Sequence, residues 1–286
     1  MARELRRLLI DPDRLRQGGE AGIVLSRQES HYLSRVLRLR PGDRFAVVDG
    51  CGALWTAQLQ EPGRADLEQP MGQPLERQAP TSLRIGLALA MPRRDGELVL
   101  RMATELGVDQ LGPLQAERSV RRGDAADTAI PERWRAVVRE AAEQCERLWL
   151  PRWEPLRSAA ACLSAPVEGL GLLATTRQGE LPALEDACAA WQPMDRPTPA
   201  LTVCSAETSP AATSPAAASP TAASSAATTI TLAIGPEGGW SEHEEELAVA
   251  AGWQLVQLGS TILRSSTAAV AGVARLVAWR ERLGRS

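Results

Sequence analysis

Over the first 75 residues the apolar positions come in short runs broken by turn residues. GIVLS (22–26), RFAVVDG (44–50) and ALWTAQLQEP (53–62) read as strands, with Arg40-Pro41-Gly42-Asp43 as a turn before the second. Between the first two lies SRQESHYLSRVLRL (26–39), where Leu33, Val36 and Leu37 recur at helical spacing. Short strands with one helix predict a small β-barrel over residues 1–75. EQPMGQPLERQAP (68–80) is rich in Pro and Gln and reads as the approach to a second domain, with the linker placed at 76–82.

The rhythm then changes. LRIGLALA (83–90) is a continuous apolar run, the pattern of a strand buried on both faces. A helix is predicted next, with Asp95 as its N-cap, Gly107 as its stop, and Leu98, Met102 and Leu106 on its inner face. VDQLGPL reads as a strand. PERWRAVVREAAEQCERLWLP reads as a helix with Trp134, Val137, Val138, Ala141, Cys145 and Leu148 on one face. GLGLLAT (169–175), TITLAIGP and WQLVQLG supply three further strands. Strands alternating with helices predict an α/β domain over 83–286 built on a largely parallel sheet. Residues 195–229 differ in kind: repeated Ser-Pro units in an Ala/Ser/Thr background hold too few large apolar side chains to offset the entropy of ordering. They read as a disordered surface insertion.

Composition narrows the class. A 44% hydrophobic fraction in 286 residues is ample for packed cores. No apolar run approaches the roughly 18 residues that span a bilayer, and Asp11-Pro12-Asp13 interrupts any signal-like start. The reading is a soluble, cytoplasmic protein without a membrane partner. The five cysteines (51, 145, 162, 188, 204) are scattered with no C-x-x-C pair, and His31 and His243 are the only histidines. That argues against a zinc site, a disulfide framework and a Ser-His-Asp hydrolase, and no metal is expected. Net charge is −3, yet residues 1–44 hold ten arginines against six acids, a local balance of +4. All 32 basic residues are Arg, which codon usage explains and which carries no functional weight.

The candidate chemistry lies in residues 234–279. A strand ends at Ile234 and runs into Gly235-Pro236-Glu237-Gly238-Gly239. Ser241 and Glu244 form a capping box that opens a helix, Gly252 closes it, and the next strand ends at Gly259. STILRSST then leads into the last helix. Two glycine-containing loops at the carboxy ends of adjacent parallel strands form a crevice where α/β sheets bind ligands. Glycines let the backbone approach a ligand, and free N–H and C=O groups can bond an adenine edge. On these grounds alone the loop is equally well a plain strand-to-helix turn. The pattern is not G-x-G-x-x-G, which disfavours a dinucleotide fold.

Gly235-Pro236-Glu237-Gly238-Gly239-Trp240, Leu258-Gly259 and Ile262-Leu263-Arg264-Ser265-Ser266-Thr267-Ala268 together resemble the RsmE family of 16S ribosomal RNA uridine-N3 methyltransferases, of the SPOUT superfamily. RMATELGVDQLGPLQAERSV, EAAEQCERLWLP and HYLSRVLRLRPGD resemble three more of its motifs, in family order along nearly the whole chain. The resemblance implies a PUA-like β-barrel, then an α/β domain whose carboxy end is tied in a trefoil knot around S-adenosylmethionine, in a homodimer acting on ribosomal RNA of the small subunit. Carried over by motif, the cofactor contacts are Gly235, Pro236, Glu237, Gly238, Gly239, Leu258, Gly259, Ile262, Leu263, Arg264, Thr267 and Ala268, with Leu173 and Ala174 as a third wall. The chain departs from the family in having Ser266 where a Glu is usual, and Arg101 where Lys is common.

Methylating uridine N3 spreads negative charge onto O2 and O4, which a cation stabilises. Arg264 is the candidate for that role; a structural ion pair, for instance with Glu237, is the alternative. No convincing general base is evident, since His243 sits in an acidic helix start. His31, Arg35, Arg38 and Arg40 are candidates for RNA phosphate contact, as are Arg118 and Arg121. Glu143, Gln144 and Arg147 are expected to support the core or a dimer. Two other functions stay open: a non-catalytic RNA-binding or ribosome-assembly protein that kept the fold, and methylation of another RNA base.

Overall fold

A computed structural model describes residues 5–18, 22–61, 63–119, 129–167, 169–176, 180–191 and 228–284. Arg121 and most of the predicted 195–229 insertion lie outside the described residues. Thr228 and Thr229 belong instead to a core strand.

The amino-terminal unit holds β1 (Arg7–Leu9), α1 (Pro12–Gly18), β2 (Ile23–Val24), α2 (Arg27–His31), β3 (Arg44–Val48), β4 (Ala53–Glu61), β5 (Arg64–Leu67) and β6 (Glu76–Arg77). Its strands run in the order β1-β3-β4-β5-β2, with β6 added beside the start of β4. The stretch expected as a linker therefore contributes a strand, and the barrel sheet extends to Arg77. The two end strands β1 and β2 do not pair among the described residues. Phe45, Leu33, Ile10, Leu15 and Trp55 fill the interior.

The helix predicted over 26–39 is real at its start, where Ser26 and Glu29 form a capping box. From Tyr32 to Val36 it widens into a π-turn, in which Leu37 N–H reaches the Tyr32 carbonyl at 2.9 Å. The extra residue per turn rotates the apolar stripe: Leu33 stays buried, but Val36 is turned out to solvent.

The second unit continues with β7 (Leu83–Ala90), α3 (Gly96–Leu106), β8 (Gln110–Gln115), α4 (Glu132–Gln144), β9 (Arg152–Trp153), β10 (Arg157–Ser158) and α5 (Ala159–Leu163). It ends with β11 (Gly169–Ala174), α6 (Leu184–Ala190), β12 (Thr228–Ile234), α7 (Glu242–Ala250), β13 (Gln254–Val256) and α8 (Ser265–Leu283). Every pairing in this sheet is parallel, in the order β10-β8-β7-β12-β11-β13, with β9 beside β8. β7 spans the predicted residues and is buried over its last six. Gly107 closes α3 in the left-handed conformation. The inner face of α3 is not the predicted one. Val99, Leu100, Ala103 and Thr104 are buried, whereas Leu98 is exposed and Met102 and Leu106 are half-buried. In α4, Val137, Val138 and Ala141 are buried as predicted; Leu148 is buried beyond the helix end.

The two units are strapped together by the segment that follows the start of α4. Glu143 accepts the Leu9 N–H at 2.7 Å, Arg139 donates to the Leu9 carbonyl, and Arg7 pairs with Glu146 at 3.1 Å. Arg147 caps the Thr104 and Val108 carbonyls at 2.9 and 2.8 Å, fixing the turn after α3. Glu29 anchors the other side of this joint, bound by Arg14 at 2.6 and 2.8 Å and approached by Arg139 at 3.8 Å.

Burial pushes the Glu29 carboxyl up, but the Arg14 hydrogen bonds, the Ser26 N–H and the Arg14 charge outweigh it and hold it below the usual carboxylate range. A carboxyl more acidic in the folded than in the unfolded chain stabilises above the usual range and loses that contribution as pH falls through its lowered value. Glu29→Gln is therefore expected to lower Tm at neutral pH. The gap from wild type should narrow on acidification, as thermal melts over a pH series would record.

Candidate active site

Parallel register sets the site. Ile234 at the end of β12 lies level with Leu89 of β7 on one side and Ala174 of β11 on the other, and Ala174 is level with Val256 of β13. Four chain segments thus leave the sheet at one height and on one edge. The loops that follow them, 92–95, 174–176, 234–240 and 258–266, enclose a cavity of about 670 Å³. That lies within the roughly 300–1,000 Å³ range of small-molecule sites.

β12 and β13 are not neighbours, contrary to expectation. β11 runs between them. The end of β11 is therefore the middle wall of the crevice rather than a peripheral one, and both glycine-containing loops fold over it.

The 234–240 loop is held from several directions. Gly239 N–H closes a turn onto the Pro236 carbonyl at 2.9 Å, with Gly239 at φ +72°. The Trp240 ring lies against Gly235, where an added Cβ would sit 3.1–3.2 Å from ring atoms. The same ring donates its Nε1–H to the Ala174 carbonyl at 3.1 Å, tying the β11 and β12 loops together. Arg118 donates to the Trp240 carbonyl at 2.8 Å and the Gly238 carbonyl at 3.4 Å.

Beneath the loop, the capping box forms as predicted. Ser241 Oγ accepts the Glu244 N–H at 3.1 Å and Glu244 accepts the Ser241 N–H at 2.9 Å. Glu244 also accepts the Glu117 N–H at 2.9 Å and is fully buried. One carboxylate thereby joins α7 to the segment after β8. Glu245, next in line, accepts the Thr175 hydroxyl at 2.6 Å at the cavity floor.

The 258–264 loop is more open. None of the backbone N–H groups of Leu258 to Leu263 finds a backbone acceptor among the described residues. Arg275 of α8 holds the Leu258 carbonyl at 2.9 Å and pairs with Glu185, which fixes the loop's origin against α6. Gln257 is bonded to the Pro182 carbonyl at 3.0 Å and its side chain to the Leu181 carbonyl at 2.7 Å.

Comparison with known proteins names the family. Residues 79–194 and 180–277 match a model described as an RNA methyltransferase domain, and residues 25–68 match an RNA methyltransferase PUA domain. Ribosomal RNA small subunit methyltransferase E of Synechocystis sp. is 34% identical, the alignment covering 96% of this chain and 78% of that protein. The chain belongs to that family. The Mycobacterium bovis member is 31% identical over 86% of this chain and 82% of its own length. A crystal structure of the Neisseria gonorrhoeae methyltransferase E bound to S-adenosyl methionine has a TM-score of 0.68 at 26% identity, covering 96% of this chain and 98% of that one.

The cavity brings together most of the residues that the methyltransferase E resemblance singled out. Ala174, Gly235, Pro236, Glu237, Gly239, Leu258, Ile262, Leu263, Arg264 and Ala268 line it. Leu173, Gly238, Gly259 and Thr267 do not. Leu173 is fully buried in the core on the other side of the strand, as alternation along β11 demands. Gly238 faces Arg118, Gly259 is exposed, and Thr267 points outward from the first turn of α8. The ion pair weighed between Arg264 and Glu237 does not form: Glu237 accepts the Arg93 N–H at 3.1 Å, and Arg264 is exposed at the cavity with no ion pair among the described residues.

Arg118, a candidate RNA contact, is exposed and holds the glycine loop through the Gly238 and Trp240 carbonyls. His31, Arg35, Arg38 and Arg40 are all exposed along one ten-residue stretch, with Arg38 in the left-handed region at φ +57°. The sequence reading missed the 92–95 loop, Thr175, Thr176, Trp240 and Glu245, all on the cavity. The rule that ligands bind beyond the carboxy ends of strands pointed to Met91-Pro92-Arg93-Arg94-Asp95, which directly follows the most strongly apolar strand. Elsewhere, burial pushes the Cys188 thiol up to about 11, the behaviour of a core thiol rather than a nucleophile. No group of His, Cys, Asp and Glu among the described residues is placed to hold a metal ion, and no described helix is long and apolar enough to cross a membrane.

Proposed function

We propose that this protein transfers the methyl group of S-adenosylmethionine to N3 of a uridine in 16S ribosomal RNA of the small subunit. The observation that carries the reading is the four-loop cavity at the carboxy edge of the sheet, in a chain belonging to the methyltransferase E family.

The cavity fits the cofactor chemically. Its walls combine apolar side chains (Ile234, Leu258, Leu263), the open amides of 258–263, and carboxylates at Asp95, Glu237 and Glu245. Apolar walls and backbone groups suit an adenine, and nearby carboxylates offset a positive charge. When bound, S-adenosylmethionine supplies a sulfonium-activated methyl group. Trp240 and Ala174 hold the two central loops at a fixed spacing, which orients the acceptor base and provides proximity. Arg264 stands at the start of α8 with its guanidinium in no ion pair among the described residues, placed to stabilise charge developing on O2 and O4.

The finer assignments follow from the same reading. Gln257, at the root of the 258–264 loop, is bonded to residues 181 and 182 before the chain enters α8, which suits a trefoil knot at this end of the domain. His31, Arg35, Arg38 and Arg40 serve the RNA backbone from the PUA-like unit, with Arg121 as a further contact. The active form is a homodimer, and its substrate places it in the cytoplasm.

The test is direct. Small subunits from a strain lacking the gene are incubated with the protein and S-adenosylmethionine, and the 16S RNA is digested and analysed by nucleoside mass spectrometry. 3-Methyluridine should accumulate at up to one per subunit. Methylation of a different base, or none with a protein that still binds RNA, would overturn the assignment.

A further inference from the structure

Uridine N3 carries a proton that has to leave as the methyl group arrives, so the site needs an acceptor. The usual candidates are missing from it. His31 and Tyr32 lie in the first unit and His243 is exposed on α7, none of them on the cavity, and no lysine exists in the chain. Among the described residues, the side chains of the lining that readily take a proton are Asp95, Glu237 and Glu245.

The three differ in what they already hold. Glu245 lies buried at the cavity floor against the Thr175 hydroxyl. Glu237 is engaged by the Arg93 N–H. Asp95 precedes α3 in the N-cap position, where an aspartate ordinarily accepts an N–H of its own helix, yet it makes no such bond. It is turned instead to the Ser266 hydroxyl, which donates to its Oδ2 at 3.2 Å from the first turn of α8. That bond joins two cavity loops 171 positions apart and sets Asp95 beside the segment that carries Arg264. Its second oxygen, Oδ1, has no hydrogen-bond partner among the described residues. Ser266 is also where this chain departs from the family's usual Glu, so the bond brings a carboxylate back to that corner from the opposite loop.

We infer that Asp95 is the proton acceptor of the methylation, held in place by Ser266. The inference rests on the uridine-N3 reading above. As the N3–H bond breaks, its proton passes to Asp95 Oδ1. The N3 lone pair forms the new N–CH₃ bond, and the electron pair of the broken S–CH₃ bond stays on sulfur. Arg264 offsets the charge on the uracil oxygens meanwhile. Arg93 and Arg94 on the same loop, with Glu237 across the cavity, set the field in which Asp95 works.

Three measurements on the full chain test this. Asp95→Asn should lower single-turnover methylation by about 100-fold, in line with the usual worth of a positioned base. Its calorimetric affinity for S-adenosylmethionine and its thermal melt should match wild type. Formate should restore part of the activity of Asp95→Ala, a response that a purely structural role would not give. Ser266→Ala, which leaves the carboxylate but removes its holder, should cost less than Asp95→Asn. Asp95→Asn activity within threefold of wild type, a loss lying wholly in cofactor affinity, or no formate rescue would each overturn the inference. Wild-type protein run alongside separates the two levels. If it makes no 3-methyluridine the functional reading fails and takes this one with it; if it does and Asp95→Asn does too, only the role of Asp95 falls.

Discussion

Arg264→Ala is expected to lower kcat for uridine methylation by about 10²–10³-fold, the loss typical of removing one group that stabilises developing charge. The cause is electrostatic. Arg264 is exposed on the cavity, has no carboxylate partner among the described residues, and contributes its backbone rather than its side chain to the N-cap of α8. The Ala268 N–H still reaches the residue-264 carbonyl at 2.8 Å after truncation, so the helix start should survive. Thermal melts should therefore match wild type, and cofactor affinity should stay within about threefold, because the charge being stabilised exists only in the transition state. Arg264→Lys should recover part of the rate, since a point charge replaces a planar fork. Single-turnover kinetics with calorimetry would check all three. A variant that loses cofactor affinity in step with rate would make Arg264 a binding residue.

Glu244→Ala should be the most destabilising single change near the site. Glu244 is fully buried and its carboxylate serves two backbone donors, Ser241 N–H at 2.9 Å and Glu117 N–H at 2.9 Å. Removing it orphans the buried Ser241 N–H and the half-buried Glu117 N–H. At about 1–3 kcal/mol for the orphaned buried donor and less for the half-buried one, the cost is roughly 2–5 kcal/mol. For a chain of this size that is on the order of 5–20 °C in Tm. The effect should also reach the cavity, because Glu117 precedes Arg118, the residue that holds the Gly238 and Trp240 carbonyls. Cofactor affinity is expected to fall even at temperatures where the variant is folded. Glu244→Gln keeps one acceptor oxygen and should show a smaller loss of both. A melt within one or two degrees of wild type would show that the bonds are dispensable.

Local signals along the chain specify the elements, whereas long-range pairings give the site its shape. The apolar run 83–90, the Ser241–Glu244 capping box and the Gly107 stop are each written within a few residues, so periodicity and cap chemistry suffice to find them. Strand order is not written that way. Every strand of a parallel sheet reads as a similar apolar run, so nothing local says that β11 separates β12 from β13. The π-turn at 32–36 likewise defeated a 3.6-residue reading, and with it the place of Val36. On α3 the spacing of Leu98, Met102 and Leu106 is sound helical periodicity. Packing against α4 and α8 chose the neighbouring stripe of smaller residues instead.

The candidate site shows the same division. Its glycine loops stood out by composition, and the family resemblance attached a cofactor to them. Arg118 and Asp95 were readable only as residue types, a surface arginine and a helix cap. Their partners lie 120 to 122 and 171 positions away, and those partners give each its task. Such pairings are fixed by the fold as a whole.

The loops following β7, β11, β12 and β13 are expected to enclose a site for an adenosyl sulfonium. Isothermal titration of the full chain with S-adenosylmethionine tests it, with Gly235→Val as the paired variant because its side chain would collide with Trp240 at the cavity wall. The expected result is one saturable site per chain that is abolished or weakened at least tenfold in Gly235→Val while the fold is retained. Absence of binding by wild type, or equal binding by a folded Gly235→Val, would contradict the account.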